Sequence, residues 1–553
     1  MVSLSSSFKF LSQFALFSAV LAADVYYTFD IVNANLAPDG FTRPTVVVNG
    51  QFPGTLIQAN KDDVLHITVN NLLTNPLMRR STAIHWHGLF QKKTASEDGL
   101  GLLCLFLQYL INSTAEYTVP LNGQAGTHWY HSHLSSQYVD GLRGPIVIYD
   151  PTDPHLSLYD EDDENTIIQL GDWYHNPAPA IQEDYLNDIT DEPVPDSGTI
   201  NGVGRYRGGP AIPWARVNVV QGKRYRLRVI NNSAYGSFEF SIENHELTII
   251  EVDGINHVPK TVGGFEIYAG QRYSVVIDAN KPIRNYWIRA PMDVKDDSPT
   301  LDDENIYAVL HYEGAPNANP TTRADRSPSN VLKEHELVPL DPGPPGGCGP
   351  ADKIIDLQYS RDTSGTTKWK FNGVRYHSPT DNTLLNIMGG ATIASDFTPS
   401  EHTLILNHND IVEIHLHGSS NDSNAWLAPL ACNSPFHLHG HAFDIIQGRS
   451  GGSNCVNPPR RDVVGLTSGT GIIRFKADNP GPWFLHCLRI ALSRGSSSTV
   501  WWSIDIDWHL EAGLAVVFAE APDEQRTGPQ SQIIKQEWLD LCPIYNALSP
   551  DLQ

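Results

Sequence analysis

Residues 238–254 read FEFSIENHELTIIEVDG. Phe238, Phe240 and Ile242 alternate with Glu239, Ser241 and Glu243. Successive side chains of a strand point to opposite faces, so this pattern predicts one apolar face turned inward and one polar face turned outward. Similar short strands recur in VYYTFDIVNA (25–34), TVVVNGQ (45–51), VLHITVNN (64–71), RYSVVIDA (272–279) and EIHLHG (413–418). Turn clusters such as Pro53-Gly54, Asn122-Gly123 and Gly208-Gly209-Pro210 separate them. Short strands at this spacing predict an all-β protein, a Greek-key sandwich or barrel, with helix only in short pieces.

Two shifts in composition break the chain. One is Asp150-Pro151-Thr152-Asp153-Pro154 with the acidic loop after it; the other runs from about Gly314 to Gly349 and contains DPGPPGGCGP. They predict three β-domains, at 23–150, 151–330 and 331–553. Residues 1–22 hold one lysine, Lys9, an apolar run and a small-residue end, the pattern of a secretory leader cut near Ala22. No later run has the ~18–20 apolar residues of a membrane span, so the expectation is a secreted protein. The net charge of −24 argues against nucleic acid and anionic membrane as partners. Six cysteines, Cys104, Cys348, Cys432, Cys455, Cys487 and Cys542, would mostly pair in an oxidising compartment. Sequons at Asn112, Asn231 and Asn421 are compatible with glycosylation.

Three histidine pairs carry the chemistry: His85-Trp86-His87, His131-Ser132-His133 and His437-Leu438-His439, with His486-Cys487 following. On a strand, residues i and i+2 face one way, so each pair offers two imidazoles to one side. Cys487 faces away from His486, which lets a thiolate hold one metal while its neighbour reaches another. The pairs fall only in the first and third domains, so a site built from them lies between those domains, with the middle one as a spacer. Imidazole and a His₂Cys set suit copper. Paired Cys-x-x-Cys spacing, the mark of structural zinc, is absent.

HWHGLFQ (85–91), HWYHSHLSSQYVDGLRGP (128–145), PFHLHGHAF (435–443) and DNPGPWFLHC (478–487) resemble the multicopper oxidases, and fungal laccases above all. LGDWYH (170–175), IDWHLEAGLAVVFAE (506–520) and WLDLCPIYNAL (538–548) extend the likeness over nearly the whole chain. The resemblance implies three cupredoxin-like Greek-key β-sandwiches and four copper ions. His85 and His437 would hold the type 2 copper. His87, His131, His133, His439 and His486 would hold the type 3 pair. Cys487 and His509 would hold the type 1 copper, with Leu514 as its non-ligating axial neighbour. Asp98 would relay protons, and Cys104 would pair with Cys542. The implied activity is one-electron oxidation of phenols and aromatic amines by a monomer, coupled to reduction of O₂ to water. A ferrous-iron oxidase is the alternative, with Glu243 as the acidic residue near the type 1 edge. Glu239 would substitute for a substrate-orienting acid expected near Tyr235.

The chain departs from the pattern in four places. His486-Cys487 is followed by Leu488 where a histidine belongs, and seventeen extra residues precede Ile506-Asp507-Trp508-His509. Ser434 stands where a type 1 histidine precedes Pro-Phe-His-Leu-His, in an unfamiliar run. Residues 100–116 are also unlike the family. Intact motifs resume at once after each of these breaks, as retained or misjoined introns would leave them; sequencing the transcript tests that. As written, the chain could bind copper yet turn over poorly. Lastly, a disulfide common in relatives is replaced by Val139 and Ala234.

Overall fold

The computed structural model describes residues 22–99, 113–187, 189–190, 193–293, 298–322, 328–345, 347–362, 368–379, 382–418, 435–448, 453–466, 471–487 and 507–540. Expectations for the leader, Cys104, Cys542, Asn112, Asn421, Ser434 and Leu488 fall outside them.

Among the described residues, six sheets form three sandwiches. In the first, one sheet runs Arg43–Val48, Asp24–Leu36, Val64–Asn71, Thr114–Pro120. Its partner runs Ile57–Asn60, Arg143–Tyr149, Gly126–Ser132, Ile84–His87. Alternate residues such as Phe29, Ile31, Leu65, Ile67, Val69, Tyr117 and Val119 turn inward to one buried cluster with Trp86 and Tyr130. Each such side chain contributes roughly 1.5–3 kcal/mol by leaving water. A seven-stranded and a six-stranded sheet form the middle sandwich; a six-stranded and a five-stranded sheet form the third. The all-β expectation holds, and the described helices are short, such as Ala178–Leu186 and Thr383–Met388. No described helix is long and apolar enough to cross a membrane.

Residues 238–254 split between two sheets. Ser237–Ile242 lies in the six-stranded sheet of the middle sandwich and Leu247–Val252 in the seven-stranded one. Phe238, Phe240, Ile242, Leu247, Ile249 and Val252 meet in one core. The outward face is only partly polar surface. Glu239 is exposed, whereas Ser241 and Glu243 are buried. Glu243 accepts hydrogen bonds from the Trp287 amide (3.2 Å) and the Thr322 hydroxyl (2.9 Å). Glu243 is therefore a largely buried tether of the middle sandwich, with Arg284 3.9 Å away, a correction to its expected place on a polar outward face. Period-2 alternation could not reveal this, because the cover comes from Thr322, far along the chain. The sequon at Asn231 is corrected too. Asn231 is fully buried, and its amide donates to Gly236 O (2.7 Å) and Ile267 O (2.9 Å), so no glycan can be attached there.

Cys348 is disulfide-bonded to Cys455, a pairing that spacing left open. Val139 and Ala234 are both fully buried and belong to one apolar cluster with Tyr138, Tyr174 and Tyr185. Apolar packing thus occupies both positions.

Candidate metal centre

The strands Ile84–His87 and Gly126–Ser132 pair antiparallel with His85 opposite His131. Pro435–Leu438 and Gly481–Cys487 pair with His437 opposite His486. Directly opposed residues share a face, so each ladder presents its rings together. The ladders continue past the strand ends: the His133 amide donates to Ala83 O (3.0 Å) and the His439 amide to Phe484 O (2.9 Å). These bonds carry His133 and His439 to the same face.

The first and third sandwiches bring these seven histidines together. Ring centroids of His87 and His437 lie 3.8 Å apart, and those of His85 and His439 lie 4.1 Å apart. Ring nitrogens of His85, His87 and His437 lie within 4.8 Å of one another, as do those of His133, His439 and His486. His87 thus stands with His85 and His437. His131 stands against Trp129 (4.3 Å), its ring 5.4 Å from that of His133.

Most rings are held by one nitrogen. Nδ1–H of His85 donates to Asp98 O (2.8 Å), that of His131 to Ser132 O (2.8 Å) and that of His437 to Asp462 O (2.9 Å). His439 Nδ1–H donates to the Asp98 carboxylate (2.9 Å). A proton on Nδ1 leaves the lone pair on Nε2. Nε2 of His85, His87, His133 and His437 is buried and has no hydrogen-bond partner in the protein. His439 Nε2 and His486 Nε2 lie 3.1 Å apart, and two lone pairs at that distance repel unless a proton or cation lies between them. Burial first, and then repulsion between the rings, holds His131, His133, His439 and His486 well below the ordinary histidine range. His87 and His437 are lowered for the same leading reason. Neutral, oriented imidazoles with unspent, converging nitrogens fit soft-to-borderline cations such as copper.

Asp98 is 1 % exposed and sits between the two sandwiches, with its carbonyl on His85 and its carboxylate on His439. A solvated turn is thereby excluded for it. The next residue, Gly99, has φ +78°, and a Cβ there would lie 1.7 Å from Ile84 O. Only glycine lets this turn pass so close to the histidine strand. The turn is also gripped from the C-terminal side. The Ala95 amide donates to the Gln532 side chain (2.9 Å) and Trp538 Nε1 to Glu97 (2.9 Å).

Cys487 turns the other way. It lies opposite Phe436, fully buried in the core of the third sandwich with Leu514, and keeps its thiol. His509 falls in the helix Asp507–Ala512, but its side chain is outside the described residues. His128 and His441 are buried beside the cluster. His128 contacts Ala125 O (3.3 Å), and His441 contacts His439 O (3.2 Å) and the Glu520 carboxylate (3.1 Å). Tyr235 is buried, its amide on the Asp172 carboxylate, and Glu239 lies on the exposed surface. Sequence reasoning missed Asp462 and Arg272. The one available signal was a charged run, Arg460-Arg461-Asp462, against apolar strand sequence.

Comparison with known proteins agrees with this geometry. Three family models described as multicopper oxidase match residues 30–153, 164–315 and 374–524. The chain is 54 % identical over 484 residues to Laccase-4 of Thanatephorus cucumeris, covering 86 % of this chain and 88 % of that one. It is 47 % identical over 544 residues to Laccase-2 of Agaricus bisporus, covering 98 % of each. Among solved structures, the laccase from Botrytis aclada matches with a TM-score of 0.78 and 30 % identity, over 96 % of this chain and 93 % of that one. Fet3p, a multicopper oxidase that functions in iron import, matches with a TM-score of 0.79 and 28 % identity, over 96 % of this chain and 98 % of its own.

Proposed function

The chain belongs to the multicopper oxidases and is a copper oxidoreductase of the laccase type, acting on diphenols with O₂, and from that premise we propose how its residues divide the work. His85 and His437 would hold one type 2 copper. His87, His131, His133, His439 and His486 would hold a type 3 pair. Cys487 and His509 would hold a type 1 copper, with Leu514 as its non-ligating neighbour. The observation behind this reading is the convergence of seven rings from two sandwiches, six buried and His133 half-buried, with Nε2 atoms left over. Bound copper would supply the one-electron steps between a phenol or aromatic amine and O₂.

The chain's own groups do the rest. Carbonyls of Asp98, Ser132 and Asp462 keep the Nδ1 protons in place, so that the lone pairs point inward. Trp129 and Phe484 cover His131 and His486 at ring distances of 4.3 and 5.3 Å and keep bulk water off them. Asp98 Oδ1 has no hydrogen-bond partner and lies 3.3 Å from His85 Nδ1, a position from which it can hold and deliver a proton. The backbone between His486 and Cys487 joins the two faces of one strand, a short path for electrons.

We also read the three sandwiches as domains 23–150, 151–330 and 331–553 of a secreted monomer. The iron-oxidase alternative finds less support, because Glu243 is buried and its carboxylate is engaged by Trp287 and Thr322, with Arg284 3.9 Å away. The test is copper content with O₂ uptake on a phenol and on Fe²⁺, using protein made from this sequence. Full copper with phenol-dependent uptake is expected. Copper binding without uptake would mean that Ser434 and Leu488 have disabled the electron entry. Uptake with Fe²⁺ alone would overturn the laccase reading.

A further inference from the structure

We propose that Arg272, in the middle sandwich, is a positioning residue for the His87/His437 part of the histidine site. This rests on reading those histidines as copper ligands. Arg272 opens the strand Arg272–Asp278 and is fully buried. Its guanidinium grips Asp462 with two bonds, Nη1 to Oδ1 (2.6 Å) and Nη2 to Oδ2 (2.7 Å). Nε donates to Thr127 O of the first sandwich (3.0 Å), and Nη1 also to Gly270 O (2.9 Å). One side chain therefore joins all three sandwiches at the edge of the site.

What Asp462 does makes the grip consequential. Its carbonyl accepts a hydrogen bond from His437 Nδ1–H (2.9 Å), and its Oδ1 lies 3.7 Å from His87 Nε2. With both carboxylate oxygens engaged by Arg272, Asp462 orients one ring without offering a hard oxygen donor beside the other. Gly88 makes room for the arrangement. At φ +93°, a Cβ there would lie 2.4 Å from Arg272 Nη2 and 3.0 Å from Asp462 Oδ2. The scaffold around the pair is over-determined. Asp253 accepts from the Arg272 amide (2.7 Å) and from Arg461 Nε (2.8 Å), and Gln271 donates to Val463 O (3.1 Å). The middle sandwich is thus more than a spacer: it sets the frame in which two rings from different sandwiches stack at 3.8 Å.

The test uses the full chain, stripped of metal and titrated with Cu²⁺, for wild type, Arg272→Lys and Asp462→Asn. Folding is checked by circular dichroism. If Arg272→Lys does not fold, Asp462→Asn, which keeps the carbonyl and the size, decides. The expected result is copper affinity weakened about 10- to 100-fold at the weakest-held site. In Arg272→Lys, which loosens the hold on the Asp462 carboxylate, a changed copper hyperfine splitting in electron paramagnetic resonance should accompany it. Folded variants with wild-type affinity and spectrum would reduce Arg272 to a domain fastener and overturn the proposal while leaving the histidine site intact. A wild-type chain that takes up no copper would overturn the copper reading, and this proposal with it.

Discussion

One strand, Gly481–Cys487, has two unlike faces. His486 looks into a polar chamber where most rings are tethered by a named acceptor and the walls come from three sandwiches. Cys487 looks into the apolar core of the third sandwich, among Phe436, Leu438 and Leu514. The first face is cross-braced by residues far apart in sequence, such as Asp98 with His439 and Arg272 with Asp462. For the second, the family resemblance implies further ligands in the runs after Cys487 and before Pro435, which lie outside the described residues and whose sequence does not follow the family pattern. The difference teaches that a site braced by many distant contacts does not rest on any one local segment, whereas the thiol face has apolar packing around it and no such described bracing.

Four experiments test that contrast. The largest effect is expected from Cys487→Ser. Phenol oxidation should fall at least about 1000-fold, about 4 kcal/mol in barrier, while copper uptake by the histidines stays at the wild-type level by mass spectrometry. Loss of all copper would show that the two faces are not separable.

The polar side should also carry the stronger pH dependence of stability. Burial pushes the Glu97 carboxyl up from 4.5 to about 7, against the pull of Lys535 and Trp538. A carboxyl raised on folding gives its full stabilisation below the unfolded value of 4.5 and loses it as pH climbs through the folded value of about 7. Relative to Glu97→Gln, the wild type should therefore lose of the order of 3 kcal/mol between those limits. Urea unfolding of both proteins at pH 4.5 and 7 measures this, and parallel losses would contradict it.

Asp98→Asn removes the charged acceptor of His439 but keeps the carbonyl that holds His85. O₂ consumption should drop about 10- to 100-fold, and a variant within twofold of wild type would dismiss Asp98 as a working group. The smallest effect is a repair. Deleting residues 489–505 with Leu488→His and Ser434→His should raise phenol turnover about tenfold, or 1.4 kcal/mol in barrier. No gain would mean that the written sequence already builds a competent electron entry.

Much of the candidate site was legible from the chain. His85, His87, His131, His133, His437, His439 and His486 announce themselves because a strand's period of two puts i and i+2 on one face. The opposed facings of His486 and Cys487 follow from the same rule. Glu243 and Asn231 were misread for a common reason. Local pattern reports which way a side chain points but not what another part of the chain lays over it. A glutamate on an outward face is covered by Thr322, and a sequon asparagine is enclosed by Gly236 and Ile267.

The amino-acid order settled the all-β class, the histidine sets and the thiol neighbour, because these rest on spacing within a few residues. Folding settled which rings meet, that Asp98 bridges two sandwiches and that Arg272 reaches Asp462 across 190 positions. Those contacts depend on how three sandwiches dock, and docking is set by buried charge pairs and turns whose partners no local window contains.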